Sequence, residues 1–456
     1  MTSLGGDGGR LGGMAVRQSA APALFFDITR SLMRAGLQRP TGIDRVEQAY
    51  LDWAVNRPAG AWLAARIGGE GPDGTGTFGA RLYLVPPSHA RRLAAVLRGG
   101  VPVAPDLLAR LARWQSPQQR LAASALRRAA RHRLPLAGKQ LVSALRKLAP
   151  GGAIWLNVGH ENLSQALLQA LGAADIAPVV LLHDLIPITH PEFAREEAAR
   201  RFRRRLDAAL DAHLLIYNSE ATRRGVVAYA ERNERALPPG AVLPLGVVPP
   251  VGPEGATLAQ SPSGRAGHFV QLGTIEGRKN HILTLMLWGG LSEGLPAHEV
   301  PHLHVVGRRG WSADQAIAML DRSEIVGRTV FEHCGLEDRA VSALLAEARA
   351  LLFPSFAEGY GLPLGEALAA GVPVIAADLP ALRELGGDVP EWIAPQDGPG
   401  WLKAIRDYAQ PGSPRRNAQL ARLAGWERPR WEDHFAALED LLDDVAAERQ
   451  AQKVWS

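Results

Sequence analysis

The chain lacks most of what a secreted or membrane-spanning protein carries. It has a single cysteine, Cys334, in 456 residues, so no internal disulfide can form, which fits a reducing compartment. No apolar run approaches the roughly 20 residues needed to span a bilayer, because the longest candidate, APVVLLHDLIPI, is interrupted by His183 and Asp184. The glycine-rich residues 1–20 contain no apolar stretch of the secretory type, and we expect them to be disordered. The sequence therefore predicts a cytoplasmic protein.

Acidic residues are absent between Asp106 and Glu161. Such a basic stretch attracts anions such as lipid head groups, nucleic acid or acidic sugars. It lacks interleaved aromatic residues beyond Trp114, which argues against nucleic acid. In RLAASALRRAARHRL, residues 120–134, helical spacing places three arginines on one face. Two interpretations stay open, a solvated cationic helix or an interfacial helix on anionic lipid. The three arginines are Arg120, Arg127 and Arg131, and the other basic residues of the stretch are Arg110, Arg113, Arg128, Arg133, Lys139, Arg146 and Lys147.

Short apolar runs alternate with longer helical patterns along the whole chain. Continuous apolar runs are typical of strands buried on both faces of a parallel sheet, and their alternation with helices indicates βαβ units. We therefore predict an α/β protein with two doubly wound, Rossmann-like parallel-sheet domains that face a cleft. The predicted divisions are a first domain over 21–245 with a basic helical insertion at 107–150, a linker rich in proline and glycine at 246–267, a second domain at 268–425, and a final helix at 426–456.

In the stretch ALLFPSFAEGYGLPLGEALAAGVPVIA, residues 350–376, ALLFPS predicts a strand, AEGYGLP a glycine loop and LGEALAA a helix. Gly359 and Gly361 let backbone N–H groups approach a ligand, and Pro363 suits the first turn of a helix. The helix N-terminus adds partial positive charge at the same place, so the stretch predicts an anion cradle. The alternative, which the glycines taken alone favour, is a glycine-rich turn with two solvated glutamates. The carboxylate of Glu366 can accept hydrogen bonds from vicinal hydroxyls such as those of a ribose.

A second stretch, FVQLGTIEGRKNHILTL, predicts a strand, a loop that begins at Gly273, and a helix. Arg278 and Lys279 lie just before that helix. Two cations at this place can neutralise a nucleoside diphosphate, each charge-assisted bond contributing about 1.5–3 kcal/mol. The alternative is an exposed basic pair, which is common on protein surfaces.

Glu358 and Glu366 form an E-x7-E pattern, framed by FPS and EALAAGVPVIA, that resembles the donor-site motif of retaining glycosyltransferases of family 4. The resemblance implies the GT-B fold, in which residues 21–245 bind the acceptor, residues 268–425 bind the nucleotide sugar, and the final helix crosses back to the first domain. It also implies that Glu358 contacts the transferred sugar, that Glu366 contacts the nucleotide ribose, and that the loop amides contact the diphosphate. The loop residues are Gly359, Tyr360, Gly361 and Leu362.

Shorter fragments agree with this resemblance. GTIEGRKN is similar to a family pattern, although Thr274 stands where arginine is frequent and Gly277 stands where proline is frequent, which we expect to loosen the loop. VVGRRGW resembles the segment that borders the nucleotide base, and Arg308 either contacts nucleotide or phosphate or is an ordinary surface arginine. LLHDLIPITH matches a histidine-aspartate pair of the family, which gives His183 a role in orienting the sugar or stabilising the transition state.

The fragment TGIDRV, residues 41–46, leaves two interpretations open. It resembles the glycine loop that relatives place over the donor diphosphate, with Gly42 allowing close backbone approach and Arg45 reaching a phosphate. It also suits an ordinary helix N-terminus capped by Thr41 or Asp44.

No D-x-D sequence, the metal-holding motif of GT-A enzymes, occurs in the chain. The resemblance therefore implies a metal-independent reaction without a cofactor, with a nucleotide sugar as the donor. We expect GDP-mannose first, then a rhamnose or other hexose donor. The expected acceptor is a saccharide, free or linked to polyprenyl diphosphate, at the inner face of a bacterial membrane. The alternatives are a nucleotide-sugar epimerase of the same fold, or a degenerate scaffold that binds lipid.

Overall fold

The computed structural model describes residues 22–36, 41–68, 80–101, 103–112, 115–249 and 267–454. The predicted disordered residues 1–20, Arg113 of the basic stretch and most of the predicted linker lie outside this described part. Inside it, the chain forms two sheets with helices on both faces of each sheet.

The first sheet has eight strands within the described residues, in the order β4-β3-β2-β1-β5-β6-β7-β8. All neighbours pair in parallel except β2 with β3 and β3 with β4, which are antiparallel. The strands are β1 (Leu24–Asp27), β2 (Trp62–Ile67), β3 (Arg81–Val85), β4 (His132–Leu134), β5 (Ala153–Asn157), β6 (Ile176–Leu182), β7 (Leu214–Tyr217) and β8 (Gly240–Val242).

The second sheet is entirely parallel, in the order β11-β10-β9-β12-β13-β14. Its central strands, β9 and β12, are neighbours that lie far apart in sequence, so the loops following them meet at one edge of the sheet. The strands are β9 (His268–Leu272), β10 (His302–Val306), β11 (Val330–His333), β12 (Ala350–Phe353), β13 (Val374–Ala377) and β14 (Glu391–Ile393).

Side chains that alternate along each strand build a core on both faces of the sheets. Phe26 of β1 belongs to one buried cluster and its neighbour Phe25 to another. The helices are α1 (Thr29–Met33), α2 (Gly42–Asn56), α3 (Pro87–Leu97), α4 (Leu107–Leu111), α5 (Pro117–Ala129), α6 (Lys139–Leu148), α7 (Gln165–Ala173), α8 (Ile186–Thr189), α9 (Glu196–Ala209), α10 (Glu220–Arg232), α11 (His281–Gly294), α12 (Asp314–Arg322), α13 (Asp338–Ala346), α14 (Leu362–Ala369), α15 (Pro380–Gly386), α16 (Gly398–Ala409), α17 (Pro414–Leu423) and α18 (Trp431–Val454), with 3-10 turns at Pro191–Phe193 and Gly277–Lys279.

The long final helix α18 packs against α2 of the first sheet's domain. His434 contacts the Tyr50 hydroxyl at 2.7 Å, and Arg57 makes two bonds to the Glu439 carboxylate, of 2.8 and 2.6 Å. The chain therefore returns to its first domain after completing the second. None of the helices in the described ranges is both long and apolar enough to cross a bilayer.

The basic stretch differs from the prediction of one continuous helical pattern. Helix α5 begins with a capping box at Ser116 and ends at Ala129. The next residues form β4, which pairs with β3. Arg131 therefore lies beyond the helix, and the predicted face shared by Arg120, Arg127 and Arg131 is wrong. A short strand of this kind is created by a distant partner, which local helical spacing does not reveal.

Candidate functional site

The buried Lys279 and the half-buried Arg278 hold Glu358 where the loops after β9 and β12 meet. The Lys279 ammonium contacts Glu358 Oε1, and Arg278 Nη1 lies 3.0 Å from Glu358 Oε2. Arg278 also bonds through Nε to Glu276 Oε1 at 2.7 Å, and its carbonyl accepts from the N–H of Phe356 at 2.7 Å. The structure thus brings together three residues that the sequence placed on separate motifs 79 positions apart.

The charged side chains of this cluster shift one another's pKa values. Burial alone would raise the pKa of Glu358, but Lys279 and Arg278 outweigh it and lower that pKa to about 2. Burial lowers the pKa of Lys279, and the nearby Glu358 carboxylate opposes that change. A buried charge of either sign would be costly without its partner. The positive and negative side chains of this cluster therefore stabilise one another in their charged forms.

The glycine loop after Glu358 presents unused backbone donors. Among the described residues, the backbone N–H groups of Gly359, Tyr360, Gly361 and Leu362 donate to no protein acceptor. They lead into the N-terminus of α14, and Gly361 has φ of 98°, a conformation that favours glycine. Consecutive free amides at a helix N-terminus attract an anion.

This loop packs directly on the first domain. A Cβ at position 359 would lie 2.1 Å from the His183 carbonyl oxygen, so only glycine permits the approach. The Gly359 carbonyl accepts from the Ser219 hydroxyl at 2.8 Å, and Ser219 also caps the N-terminus of α10. The Tyr360 side chain is buried away from the loop and donates to the Leu245 carbonyl at 2.5 Å.

Glu366 is paired across the cleft with Arg45 of α2. Burial raises the pKa of Glu366, and Arg45 opposes that shift. The Thr41 hydroxyl and the Asp44 carboxylate form a capping box at the start of α2, so the capping interpretation of TGIDRV is correct. A Cβ at Gly42 would lie 3.8 Å from Leu362 Cδ1, so the same turn also borders the glycine loop.

His183 lies directly after β6 and is buried. Its Nε2 lies 2.7 Å from the Val158 carbonyl oxygen, which requires Nε2 to carry the proton. Burial lowers the pKa of His183 to about 4, so the ring is neutral at pH 7. Its Nδ1 therefore holds a lone pair that can accept a hydrogen bond.

The loop after β9 is tightly packed. Gly273 has φ of 140°, and a Cβ there would lie 3.6 Å from Lys279 Cε. Gly277 donates to the Trp311 carbonyl at 3.3 Å, and a Cβ at position 277 would meet the Ser312 carbonyl oxygen at 2.4 Å. The expectation that Gly277 loosens this loop is therefore wrong. Proline at 277 would bring a clash and lose the hydrogen bond.

Two further predicted residues border the same loop. Thr274 is half-buried, and a Cβ at Gly310 would lie 2.7 Å from its Cγ2. Arg308 is exposed, and its carbonyl accepts from the Ile275 N–H at 2.9 Å. Neither side chain takes part in the Glu358 cluster.

An aromatic contact between the two domains was not predicted from the sequence. The Phe193 ring stacks on Phe356 with centroids 5.6 Å apart, and the Trp311 indole N–H donates to the Phe193 carbonyl at 3.0 Å. Nearby, the Glu384 carboxylate accepts from the backbone N–H groups of Glu220 and Ala221 at 2.6 and 2.7 Å. These contacts join segments that lie far apart in sequence, so no local sequence pattern predicts them.

The buried carboxylate of Glu47 was also not predicted from the sequence. It is fully buried on α2, where Oε1 accepts from the Ser31 N–H and hydroxyl at 2.8 and 2.7 Å. Oε2 has no hydrogen-bond partner among the described residues. Burial raises the pKa of Glu47 to about 8. Spacing offered a signal, because Glu47 shares the buried face of α2 with Tyr50, Leu51 and Ala54.

Residues 268–410 match the family model described as glycosyl transferases group 1. The chain is similar to serotype-specific mannosyltransferase WbdA of Escherichia coli, with 29% identity over 265 residues, which are 54% of this chain and 32% of that protein. It is also similar to O-antigen chain mannosyltransferase B of Escherichia coli, with 27% identity over 261 residues, 56% of this chain and 67% of that protein. The aligned region thus spans about a third of the first relative.

Among solved structures, α,α-trehalose 6-phosphate synthase from Burkholderia multivorans shares the fold, with a TM-score of 0.52 at 14% identity over 68% of this chain and 74% of that one. The OtsA apo structure gives a TM-score of 0.51 at 13% identity, over 66% and 76% of the two chains. These likenesses agree with two Rossmann-like domains facing a cleft. Residues 268–410 of the second domain are thus similar to the group 1 glycosyltransferases, and the two domains have the GT-B fold.

Proposed function

We propose that the protein transfers a hexose, with mannose as the first candidate, from a nucleotide sugar to a saccharide acceptor, with retention of anomeric configuration and without a metal ion. The match of residues 268–410 to the group 1 glycosyltransferase model and the similarity to mannosyltransferases support this proposal. GDP-mannose is the proposed donor. The proposed acceptor is a saccharide, free or linked to polyprenyl diphosphate, used in bacterial surface polysaccharide synthesis.

One observation carries the proposal. The free amides of residues 359–362 and the cations Arg278 and Lys279 adjoin the same glutamate, Glu358. Amides at a helix N-terminus and two guanidinium or ammonium groups together suit a diphosphate. Because the cations are fixed before any ligand binds, they can stabilise negative charge on the leaving group with little reorganisation.

In the proposed reaction, the bond between the anomeric carbon and the diphosphate oxygen breaks, and its electron pair leaves with the diphosphate. Arg278, Lys279 and the loop amides stabilise that charge. The acceptor hydroxyl forms the new bond on the same face of the sugar, and its proton passes to the departing diphosphate.

His183 and the two glutamates have separate proposed roles. Glu358 contacts the transferred sugar, and Glu366 accepts from the ribose hydroxyls after exchanging its bond with Arg45. His183 is neutral and positions a sugar hydroxyl through Nδ1 rather than supplying positive charge.

The test is a thermal-shift screen of the purified protein against GDP, UDP, dTDP and ADP sugars, followed by product analysis with saccharide and lipid-linked acceptors in EDTA. We expect GDP-mannose to stabilise the protein and to yield an α-linked product by NMR. An inverted product would contradict the stereochemistry, and loss of transfer in EDTA would contradict metal independence. Conversion of the donor without an acceptor would indicate the epimerase alternative.

We also propose that the enzyme works at the cytoplasmic face of the bacterial inner membrane, where a polyprenyl-linked acceptor is presented. The basic stretch between Asp106 and Glu161 supports an encounter with anionic lipid.

A further inference from the structure

Helix α4 exposes leucine in a way unlike the rest of the molecule. Leu107, Leu108 and Leu111 are 73%, 56% and 65% exposed, whereas Ala109 of the same helix is buried. The described residues contain eight exposed large hydrophobic side chains, and three of them lie in this five-residue helix. A concentration of this kind marks an interaction surface rather than the scattered exposure of ordinary surfaces.

The exposure is fixed by a built support. Asp106 caps α4 by accepting from the Ala109 N–H at 2.8 Å. Arg127 of α5 grips the Asp106 carboxylate with two bonds of 2.6 Å each, and the Asp106 N–H donates to the Ser124 hydroxyl at 3.1 Å. The helix is therefore held on α5 with its leucines outward. Because Arg127 is paired with Asp106, its charge is not part of the cationic face expected from the sequence.

The surroundings of α4 are basic. Arg110 lies on α4 itself, and Arg128 and Arg131 follow the arginine that grips its cap. All three are exposed, and none has a carboxylate partner among the described residues. Exposed leucines that share a helix with Arg110, close in sequence to further exposed arginines, complement a surface that is apolar within and anionic at its boundary.

A chain of contacts joins this surface to the cleft. The Gln119 side chain at the start of α5 donates to the Met33 carbonyl at 2.5 Å, and Met33 is itself 47% exposed. The helix that contains Met33 also carries Arg30, which holds Asp44 of α2 at 2.7 Å. Arg45, the next residue, reaches Glu366 across the cleft.

We propose that α4, with Leu107, Leu108, Leu111 and Arg110, is a docking element that inserts into the interface of an anionic bilayer and turns the cleft toward a lipid-borne acceptor. The lipid docking stands on the geometry of α4, and only the orientation toward an acceptor rests on the proposed function. Three leucines on one helical turn offer far less than the roughly 1,000 Å² of a stable protein interface. Insertion into lipid requires no such area.

The test is flotation of the full chain with two kinds of phosphatidylcholine vesicle. One kind contains about 30% phosphatidylglycerol, which makes its surface anionic, and the other contains none. We expect binding to the anionic vesicles that salt weakens. Leu107→Ser with Leu111→Ser should lower the partition about tenfold or more, since each fully buried leucine contributes at least roughly tenfold. Arg110→Gln should lower it roughly fivefold.

Met286→Ser is the matched control, because Met286 is 63% exposed on α11 of the other domain. It should bind vesicles as the wild type does. Thermal melting checks that all variants are folded, and GDP affinity should be the same in each. Wild-type protein that ignores anionic vesicles, or leucine variants that float like the wild type, would overturn the proposal. Loss of a dimer in the leucine variants without vesicle binding would also overturn it, in favour of self-association. Transfer to a short water-soluble acceptor tests the proposed function independently.

Discussion

Glu358 and Glu47 both have buried carboxylates, one in each domain, and their surroundings shift their pKa values in opposite directions. Glu358 lies against Lys279 and Arg278, so its pKa falls to about 2 despite burial. Glu47 contacts only Ser31 through hydrogen bonds, so burial raises its pKa to about 8. In this pair, the carboxylate with cations within contact distance has a lowered pKa, and the carboxylate without them has a raised one.

The largest expected effect comes from removing the charge of Glu358. Glu358→Gln keeps the shape of the side chain, and we expect the rate of sugar transfer to fall by about 10³-fold, as when one preorganised polar contact to a transition state is lost. GDP affinity should stay equal or increase, because Arg278 and Lys279 lose the carboxylate that neutralises them. Steady-state kinetics and calorimetric titration of GDP separate the two effects.

Glu347→Gln is the control for this substitution, since Glu347 is exposed. It should transfer sugar at the wild-type rate. If Glu358→Gln also kept the wild-type rate, Glu358 would have no place in the reaction.

A smaller effect is expected from Glu47. Its folded-state pKa lies above the ordinary value of 4.5, so the folded protein keeps a proton that the unfolded chain has released. The contribution to stability is full below pH 4.5 and is lost as pH rises toward about 8. Between pH 5.5 and 8, the wild type should lose about 3 kcal/mol of unfolding free energy relative to Glu47→Gln, at 1.36 kcal/mol per pH unit.

Urea unfolding of both proteins at several pH values measures this difference. Glu231→Gln, at an exposed position, should keep the pH profile of the wild type. Parallel profiles for the wild type and Glu47→Gln would mean that Glu47 is ionised in the folded protein at neutral pH.

The smallest effect concerns Arg45, whose side chain is 42% exposed in its pair with Glu366. An exposed ion pair contributes up to about 1 kcal/mol. Arg45→Met should therefore strengthen binding of guanosine up to about fivefold, because Glu366 becomes free for the ribose. It should weaken binding of GDP relative to guanosine, because Arg45 then offers no contact to the diphosphate. Equal changes for both ligands would place Arg45 away from the phosphates.

Local sequence predicted the strands whose residues are strongly apolar, such as β6 and β12, and the loops that follow them. It did not predict β2, β4, β8 or β14. Strand β2 contains two alanines and an arginine, which favour strand weakly, and the three-residue strands depend on partners distant in sequence. The antiparallel direction of β3 was not predicted either, because a buried strand has the same apolar pattern in both directions.

For the site, motif spacing identified Glu358, Arg278 and Lys279, but not their direct contact, which depends on β9 and β12 being neighbours. Glu47 was missed because an acidic residue on a helix is usually solvated. Its position three residues before Tyr50 and four before Leu51 placed it on the apolar face. The loop that covers it follows β5, more than a hundred residues later, and Gly159 is required there because a Cβ would lie 2.3 Å from Glu47 Oε2.

The central claim is that fixed cations, rather than a metal ion, bind the diphosphate. The most direct measurement is calorimetric titration of GDP in EDTA into the wild type, Lys279→Met and Lys279→Arg, with Lys403→Met as an exposed control. We predict that GDP binds the wild type without metal, that Lys279→Met weakens it about 10–100-fold, and that Lys279→Arg and Lys403→Met bind more tightly than Lys279→Met. Equal affinity for the wild type and a folded Lys279→Met protein, or binding that appears only on addition of magnesium, would contradict the claim.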